Sequence, residues 1–360
     1  MATLWNKNYS KNDICQYAGS ISQIAGAKMY ELKDGKAFGV RGIDVKTGSG
    51  LEFTVLPDRG MDISWASFKG KPLSLITKNG IVGSKYYESR GDNWFRSYFG
   101  GLLTTCGLSN TGASCDVEGV HYGLHGRISN TPAERVAIEE EWQGDEYHIS
   151  VKGNVRESSF YDENLLLTRK ITTKLGGKSF AIHDTVENQG YSPVPAMLLY
   201  HINIGFPLLD ENTRLLINTS ATDFFDEAAE MGKDAMTVFQ KPTHEYFRQV
   251  FLHTLKEDSE GNTLCAVINE KLDQDIQGLY IRFNRRQLPE FFEFKMMGQS
   301  DYQLGLEPSN CLPMGRAVEK ERNGLPFLEG QESKDFTIEM GIIESQNEYN
   351  SIKTEIENLK

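Results

Sequence analysis

The chain has 360 residues, and its 38 Lys and Arg against 50 Asp and Glu give a formal net charge of −12 at pH 7. An acidic chain lacks the clustered basic side chains that neutralise a phosphate backbone, which argues against nucleic acid as a partner. The most apolar segment, residues 193–209, is too short and too polar to cross a bilayer, so we expect no membrane span.

The beginning of the chain and its cysteines predict a cellular compartment. The first 13 residues lack the apolar run of a secretory signal, which favours a cytoplasmic protein. The five cysteines are an odd number in a chain without such a signal, so reduced thiols are expected. The 34 glycines are spread along the chain and indicate many separate turns.

Apolar and polar residues alternate with a period of two, and the alternating runs come in pairs joined by Gly-containing turns. Residues 21–32 fit either an early helix or a strand. The predicted strand pairs are, in chain order, 43–45 with 51–55 followed by 61–65, 136–138 with 147–151, 165–171 with 180–186, and 251–255 with 264–268.

After residue 340, Ile352, Ile356 and Leu359 have the spacing of one face of an amphipathic helix, although a frayed end fits equally well. Consecutive hairpins without helical crossovers favour antiparallel sheets stacked face to face. We therefore predict an all-β fold, a large antiparallel β-sandwich with few short helices. It forms a single domain over residues 1–340, followed by a tail over residues 341–360.

Two segments resemble known kinds of site, but a structural interpretation is favoured for both. GGKS at residues 176–179 resembles the end of a phosphate loop, but Thr172 occupies the position of the first glycine, so we interpret it as a hairpin turn. Cys106 could be a nucleophile, although a small buried thiol in this Gly-rich segment is the favoured interpretation.

Histidines at positions 121 and 125 have a spacing that can hold a metal on a helix. Gly123 and Gly126 argue against a helix there, and on a strand two residues four apart are about 13 Å apart, too far to share an ion. A metal site built from His121, His125, His201 and Glu307 would require the fold to bring them together.

Four polar residues in three segments stand out in apolar or Gly-rich surroundings. His125 is flanked by glycines, His201 and Asn203 interrupt the most apolar segment, and Glu307 ends an apolar strand. Each could be a hydrogen-bonded core residue. However, a buried carboxylate and imidazole are costly unless they are paired or used, and they are the groups that proton-transfer chemistry needs.

Five segments together resemble the galactose mutarotase-like superfamily, and within it the aldose 1-epimerase-related branch. They are LPDRGMDI at 56–63, GGLLTTCGL at 100–108, LHGR at 124–127, LYHINIG at 199–205 and GLEP at 305–308. The resemblance implies a large antiparallel β-sandwich with a sugar cleft on one sheet. It also implies interconversion of the anomers of a free monosaccharide without a cofactor or a metal.

The same resemblance implies roles for individual residues. Glu307 would be the base that removes the proton from the C1 hydroxyl, and His201 the acid that protonates the ring oxygen. His125 would hold a sugar hydroxyl. The further substrate-binding candidates are Arg59, Arg127, Asn203 and Lys295, although Arg59 fits a structural turn residue equally well.

The chain departs from the family pattern in two places. Typical galactose mutarotases have an Asn-Arg pair ahead of the first histidine, whereas this chain has TTCGL at 104–108. The sugar-binding aspartate of the family has two candidates here, Asp223 and Asp226. A sugar-binding module without turnover and a metal-dependent sugar isomerase remain alternative functions, and the sequence leaves open whether the chain forms a homodimer.

Overall fold

The computed structural model describes residues 1–272 and 275–360, and within these ranges the chain forms 27 β-strands and four α-helices. The all-β prediction is confirmed, because most strands join two large antiparallel sheets. No helix among the described residues is both long enough and apolar enough to span a membrane.

The strands are, in chain order, β1 (Ala2–Leu4), β2 (Lys7–Tyr9), β3 (Gly26–Glu31), β4 (Arg41–Lys46), β5 (Leu51–Leu56), β6 (Asp62–Phe68), β7 (Lys71–Pro72), β8 (Leu75–Ile76), β9 (Gly100–Gly101), β10 (Leu103–Leu108), β11 (Cys115–Val117), β12 (Val120–Tyr122), β13 (Glu134–Gln143), β14 (Glu146–Ser158), β15 (Asn164–Lys174), β16 (Ser179–Asn188), β17 (Val194–Pro195), β18 (Met197–Ile204), β19 (Thr213–Leu216), β20 (Thr219–Phe224), β21 (Gln249–Leu255), β22 (Asn262–Leu272), β23 (Asp275–Asn284), β24 (Glu290–Met297), β25 (Tyr302–Ser309), β26 (Phe327–Leu328) and β27 (Ser333–Ile343). The α-helices are α1 (Lys11–Tyr17), α2 (Glu227–Met231), α3 (Arg316–Glu321) and α4 (Gln346–Glu357). One-turn 3-10 helices lie at Ile21–Gln23, Gly35–Ala37, Ser84–Tyr86, Asn93–Arg96, Ile128–Asn130 and Lys233–Ala235.

Two sheets make up the sandwich. The eleven-stranded sheet has the order β20-β21-β24-β25-β18-β10-β6-β5-β4-β3, with β7 added beside β6. The eight-stranded sheet has the order β13-β14-β15-β16-β27-β23-β22-β19. Since alternate residues of a strand face opposite sides of its sheet, each sheet turns one apolar row toward the other.

The core lies between the two sheets. Val55, Ile202 and Leu306 reach it from the eleven-stranded sheet, and Ile182 and Ile338 from the eight-stranded sheet, all with no solvent exposure. Removing this apolar surface from water is the main force that holds the layers together. The side chains on the outward face of the eleven-stranded sheet do not belong to this core.

A buried ion cluster also joins the sheets. The guanidinium of Arg169 on β15 donates to Asp184 on β16 at 2.6 Å and to Asp62 on β6 at 3.1 Å, and the Tyr200 hydroxyl of β18 donates to Asp184 at 2.7 Å. Charged groups without solvent contact require such partners. The cluster fixes β18 against the opposite sheet directly beneath its polar residues.

Most predicted strand pairs are present, but one is wrong. The runs at 251–255 and 264–268 lie in β21 and β22, which belong to different sheets. β21 pairs with β20 and β24, whereas β22 pairs with β19 and β23. The intervening residues 256–261 carry the chain from one layer to the other, and local alternation cannot distinguish such a crossing from a hairpin.

Two further segments can be described from the structure. The ambiguous residues 21–32 form a 3-10 turn followed by β3. The boundary drawn at residue 340 falls inside β27, because its pairing with β23 continues to Ile343. After that strand, α4 packs Ile356 and nearby apolar residues against Leu264 and Ile268 of the eight-stranded sheet.

Candidate functional site

Strand β18 divides its side chains between the core and the outward face of the eleven-stranded sheet. Leu198, Tyr200 and Ile202 belong to the core between the sheets. His201 and Asn203 alternate with them and therefore point the other way. The polar residues that interrupt this apolar segment thus share one face of the strand.

Strand β25 repeats this division. Leu304 and Leu306 enter the core, so Gln303, Gly305 and Glu307 take the outward face. β18 and β25 are antiparallel neighbours with Ile202 opposite Leu306. This register places His201 directly beside Glu307.

The imidazole of His201 and the carboxylate of Glu307 are in contact. Nε2 of His201 lies 3.2 Å from Oε1 of Glu307, and the two residues are 5% and 4% exposed. Gly305 provides the room for this contact, because a Cβ on it would lie 2.9 Å from Glu307 Oε1 and 3.0 Å from His201 Cε1.

Burial moves the pKa values of this pair in opposite directions. It raises the pKa of Glu307 to about 8 and lowers the pKa of His201 to about 4, because both groups lose the water that stabilises their charged forms. Between these values the Glu307 carboxyl is protonated and the His201 imidazole is neutral. An acid and a base in contact at 3.2 Å are suited to general acid–base chemistry.

His125 is the third polar residue of the site. The backbone N–H of Gly112 donates to its Nδ1 at 3.2 Å, so the neutral ring carries its proton on Nε2. Burial and the neighbouring His201 lower the pKa of His125 to about 3. Its ring centroid lies 6.0 Å from that of His201. His125 is therefore a fixed, uncharged hydrogen-bond donor next to the pair.

A hydrogen-bonded network of Tyr98, Asn203 and Gln303 lies beside the pair. The Tyr98 hydroxyl donates to Asn203 Oδ1 at 2.8 Å, and the Gln303 amide donates to Asn203 Oδ1 at 2.8 Å and to the Tyr98 hydroxyl at 2.9 Å. Asn203 Nδ2 in turn donates to the His201 carbonyl at 2.9 Å. Both polar atoms of the Asn203 amide have hydrogen-bond partners inside the protein, and its Oδ1 holds Tyr98 and Gln303 in place.

These residues line a cavity of about 540 Å³, which we call the main cavity. The lining includes His125, His201, Glu307, Tyr98 and Gln303. Four further aromatic side chains complete the walls, those of Trp94, Phe95, Phe225 and Phe294. A mostly apolar cavity of this size with a few convergent polar groups is typical of a small-molecule site.

Four charged side chains besides Glu307 contribute to the lining of this cavity. Lys78 Nζ lies 2.9 Å from Asp301 Oδ2, and both residues contribute to the lining. Asp92 and Arg248 also contribute. The site therefore combines aromatic side chains, a buried imidazole and carboxyl in contact, and further polar and charged groups.

A family model described as a domain of unknown function, DUF4432, matches residues 37–342. The chain belongs to this family. Among curated protein sequences, none matches the chain.

Several solved structures have the same fold as this DUF4432 chain. A protein from Klebsiella pneumoniae, described provisionally as an aldose 1-epimerase, is 26% identical with a TM-score of 0.88 over 92% of this chain and 87% of that one. A galactose mutarotase-like protein from Clostridium acetobutylicum is 15% identical with a TM-score of 0.61 over 89% and 99% of the two chains. Galactose 1-epimerase from Lactobacillus acidophilus is 13% identical with a TM-score of 0.53 over 89% and 100%. The likeness to the Klebsiella pneumoniae protein confirms the predicted resemblance, and the two structures below 25% identity share the fold.

The structure brings some predicted site residues of this family member together and leaves others outside. Glu307, His201 and His125 meet in the main cavity, with Asn203 supporting them. Arg127 is exposed and is not among the lining residues.

Arg59 and Lys295, predicted to bind substrate, are both 1% exposed and outside the lining of the main cavity. Arg59 donates to the carbonyls of Ser129, Val82 and Ser97, and so ties three loops together. Lys295 Nζ donates to the carbonyls of Ala235 at 2.6 Å and Val238 at 2.8 Å. Their charged groups are already occupied by backbone oxygens.

The two candidates for the sugar-binding aspartate also lie outside the main cavity. Asp226 caps the N-terminus of α2 by accepting from the Ala229 backbone N–H at 2.9 Å. Asp223 lies on β20 and is exposed. The carboxylates that do line the cavity, besides Glu307, are Asp92 and Asp301.

His121 and Cys106 do not join the pair either. His121 Nδ1 lies 2.9 Å from Asp116 Oδ1, and its Nε2 accepts from the Gly91 backbone N–H. Within residues 1–272 and 275–360 no group of three His, Cys, Asp or Glu side chains is arranged to hold a metal ion. Cys106 is completely buried, and burial raises the pKa of its thiol well above the usual range.

Sequence reasoning missed Trp94, Tyr98 and Gln303 as parts of the site. Trp94 and Tyr98 come from an irregular segment around a 3-10 helix, where no periodicity marks them. Gln303 could have been found, because it is four residues before Glu307 on the same strand and therefore on the same face.

Proposed function

We propose that this protein is a cofactor-independent aldose 1-epimerase-like isomerase that interconverts the anomers of a free monosaccharide. The observation that carries the proposal is the contact between His201 Nε2 and Glu307 Oε1 at 3.2 Å in the main cavity. An acid and a base that share one proton can remove a proton from one oxygen of a sugar and deliver one to another.

The reaction balances without any other reactant. Glu307 as carboxylate takes the proton of the C1 hydroxyl, and His201 as imidazolium gives a proton to the ring oxygen. The bond from C1 to the ring oxygen breaks, and its electron pair goes to that oxygen. The open-chain aldehyde rotates about the bond between C1 and C2, and reclosure from the other face reverses both proton transfers.

The pKa values fit this cycle. At neutral pH burial keeps the proton of the empty site on Glu307, whose pKa is raised to about 8. A hydroxyl that donates to Glu307 stabilises its charged form and lowers its pKa. The proton then moves to His201 across their contact, which generates the base and the acid together.

The other lining groups suit a sugar. The Nε2–H of His125 can donate to a ring or C1 oxygen, since its Nδ1 is occupied by Gly112. Tyr98 and Gln303 offer further polar atoms, and Trp94 stacks on Tyr98 with ring centroids 4.7 Å apart. Aromatic faces pack against the C–H face of a pyranose while the hydroxyls reach the polar groups.

Anomer-exchange NMR tests this function across hexoses, pentoses, deoxy sugars and uronic acids. We expect the wild-type protein to accelerate exchange for at least one sugar. Glu307→Gln and His201→Asn should each lower the rate by at least about 100-fold, the scale of a lost acid or base. Matched controls outside the main cavity, Glu321→Gln and His121→Asn, should keep it.

Two results would replace the proposal. Saturable sugar binding in the main cavity without any faster anomer exchange would make the protein a sugar-binding module. Activity on a sugar that is lost with a chelator and restored by a metal ion would instead make it a metal-dependent isomerase. Near-normal exchange in Glu307→Gln or His201→Asn would remove that residue from the mechanism.

A further inference from the structure

The outward face of the eleven-stranded sheet carries a second depression, of about 490 Å³, which we call the outer groove. It lies over β4, β5 and β6, which are near the opposite edge of this sheet from β20 and β21. Strand β8 separates it from the main cavity, since Leu75 lines the main cavity and Ile76 lines the outer groove.

Two exposed aromatic side chains line the outer groove. Trp65 on β6 is 41% exposed, and Phe206, just after β18, is 73% exposed. The neighbours of Trp65 on the other face, Ala66 and Phe68, are in the core. The core therefore needs neither Trp65 nor Phe206, and exposed large aromatic rings that line one depression are typical of a binding surface.

The lining of the groove on β4 and β5 includes polar side chains, with two carboxylates and one ammonium group. Asp44 and Thr54 are paired across β4 and β5, and the Thr54 hydroxyl donates to Asp44 Oδ1 at 2.6 Å. Next to them, Lys46 Nζ lies 4.0 Å from Glu52 Oε1. Carboxylate, ammonium and hydroxyl groups thus lie within one short stretch of sheet.

This combination selects among classes of ligand. An acyl chain or an apolar peptide face would cover the Asp44–Thr54 and Lys46–Glu52 pairs and offer no hydrogen bond to replace the water it removes. A phosphate backbone would be repelled by the two carboxylates. A neutral sugar has an apolar C–H face for the rings of Trp65 and Phe206, and hydroxyls that both donate and accept for these polar side chains.

We propose that the outer groove is a second carbohydrate-binding site that takes a neutral sugar residue. Sheet register gives its distance from the first site, because Ile63, Leu103 and Ile202 stand in one row across β6, β10 and β18. Trp65 and His201 are then separated by two strand spacings and about three residues, or about 14 Å. One monosaccharide cannot occupy both sites, so the outer groove binds a separate sugar or another unit of an oligosaccharide.

Two of the four tryptophans allow each site to be observed separately. Trp94 lines the main cavity and Trp65 lines the outer groove, whereas Trp5 and Trp142 line neither. The full chain labelled with 5-fluorotryptophan is titrated with glucose, galactose, maltotriose and cellotriose, up to 20 mM in sugar, and followed by ¹⁹F NMR. We expect at least one of these saccharides to shift the Trp65 resonance saturably while those of Trp5 and Trp142 stay unchanged.

Variants make the assignment specific. Phe206→Ala and Asp44→Asn should each weaken the binding reported by Trp65 by about tenfold, the scale of a lost aromatic or charged contact. Phe247→Ala removes an aromatic residue that is 79% exposed but outside the groove, and should leave the binding unchanged. Wild-type affinity in both Phe206→Ala and Asp44→Asn would overturn the proposal.

The outer groove does not rest on the proposed isomerase activity. Glu307→Gln should abolish anomer exchange and keep the saturable shift of Trp65. A Trp65 resonance that stays unshifted throughout the titrations would overturn the second site, whatever Trp94 reports. Absence of anomer exchange would overturn only the proposed function.

Discussion

His201 Nε2 and Glu307 Oε1 meet at 3.2 Å because their strands pair antiparallel and both residues take the face that their apolar neighbours leave. The opposite face of the same two strands supplies Ile202 and Leu306 to the core between the sheets. The proton-sharing pair is thus attached to a rigid, well-packed part of the sandwich, which is where precise geometry is maintained.

The first prediction concerns the pH dependence of activity. Only the form of the pair that holds one proton can act as base and acid together, and that form predominates between the pKa values of about 4 for His201 and about 8 for Glu307. We expect a bell-shaped profile of kcat/KM for anomer exchange with limbs near these values. A rate that keeps rising from pH 7 to pH 10, measured on protein that is folded throughout, would contradict the shared proton.

The second prediction concerns stability. The pKa of Glu307 is raised on folding from 4.5 to about 8, so the folded state retains a proton that the unfolded chain has lost. This group therefore favours the folded state fully at low pH, and the stability falls as pH rises from 4.5 through 8, by at most about 1.4 kcal/mol per pH unit.

Glu307→Gln removes this ionisation. At pH 8.5 the variant should be more stable than the wild-type protein, by on the order of 2 kcal/mol in the free energy of unfolding, and near pH 4.5 the difference should become small. Urea unfolding at the two pH values measures this. Glu321→Gln, at an exposed position, serves as the control and should change neither value. Equal wild-type and Glu307→Gln stabilities at pH 8.5 would contradict the raised pKa.

The third prediction uses Gly305, which leaves space between the pair. In Gly305→Ala the new methyl group would meet Glu307 Oε1 at 2.9 Å and His201 Cε1 at 3.0 Å, so one of the two groups must move. We expect anomer exchange to fall by at least about tenfold, since small displacements of reacting groups are costly. Gly19→Ala is the matched control, because a Cβ there has no atom within 4 Å. Full activity of Gly305→Ala would show that the close contact is dispensable.

The fourth prediction decides the role of Arg59. Arg59→Met leaves the carbonyls of Ser129, Val82 and Ser97 without their donor inside the protein, so unfolding free energy should fall by about 3 kcal/mol or more. Arg127→Met, at an exposed position, should change stability by less than about 0.5 kcal/mol. Chemical denaturation compares the two variants. A raised KM for sugar in a fully stable Arg59→Met protein would instead support the substrate-binding role.

The sequence predicted the sandwich and the central pair for clear physical reasons. Period-two alternation reports which face of a strand is buried, and polar residues such as His201 and Glu307 are conspicuous where they interrupt it. Alternation does not report which sheet a strand joins, which is why the predicted pairing of β21 with β22 is wrong.

The roles of Arg59 and Trp94 could not be predicted from local sequence patterns. The DRG turn around Arg59 fits a ligand contact, and only the three-dimensional arrangement reveals the three carbonyls that occupy its guanidinium. Trp94 reaches the main cavity from a 3-10 turn whose position is determined by tertiary packing.

The most direct test of the central claim is a double-mutant cycle on anomer exchange. Wild-type, Glu307→Gln, His201→Asn and the double variant are compared by exchange NMR with the best sugar of the panel at pH 6. Because the two groups share one proton, either single change should remove most of the acceleration, and the double variant should be little slower than the singles. Independent, additive losses, or single variants with wild-type rates, would contradict the account.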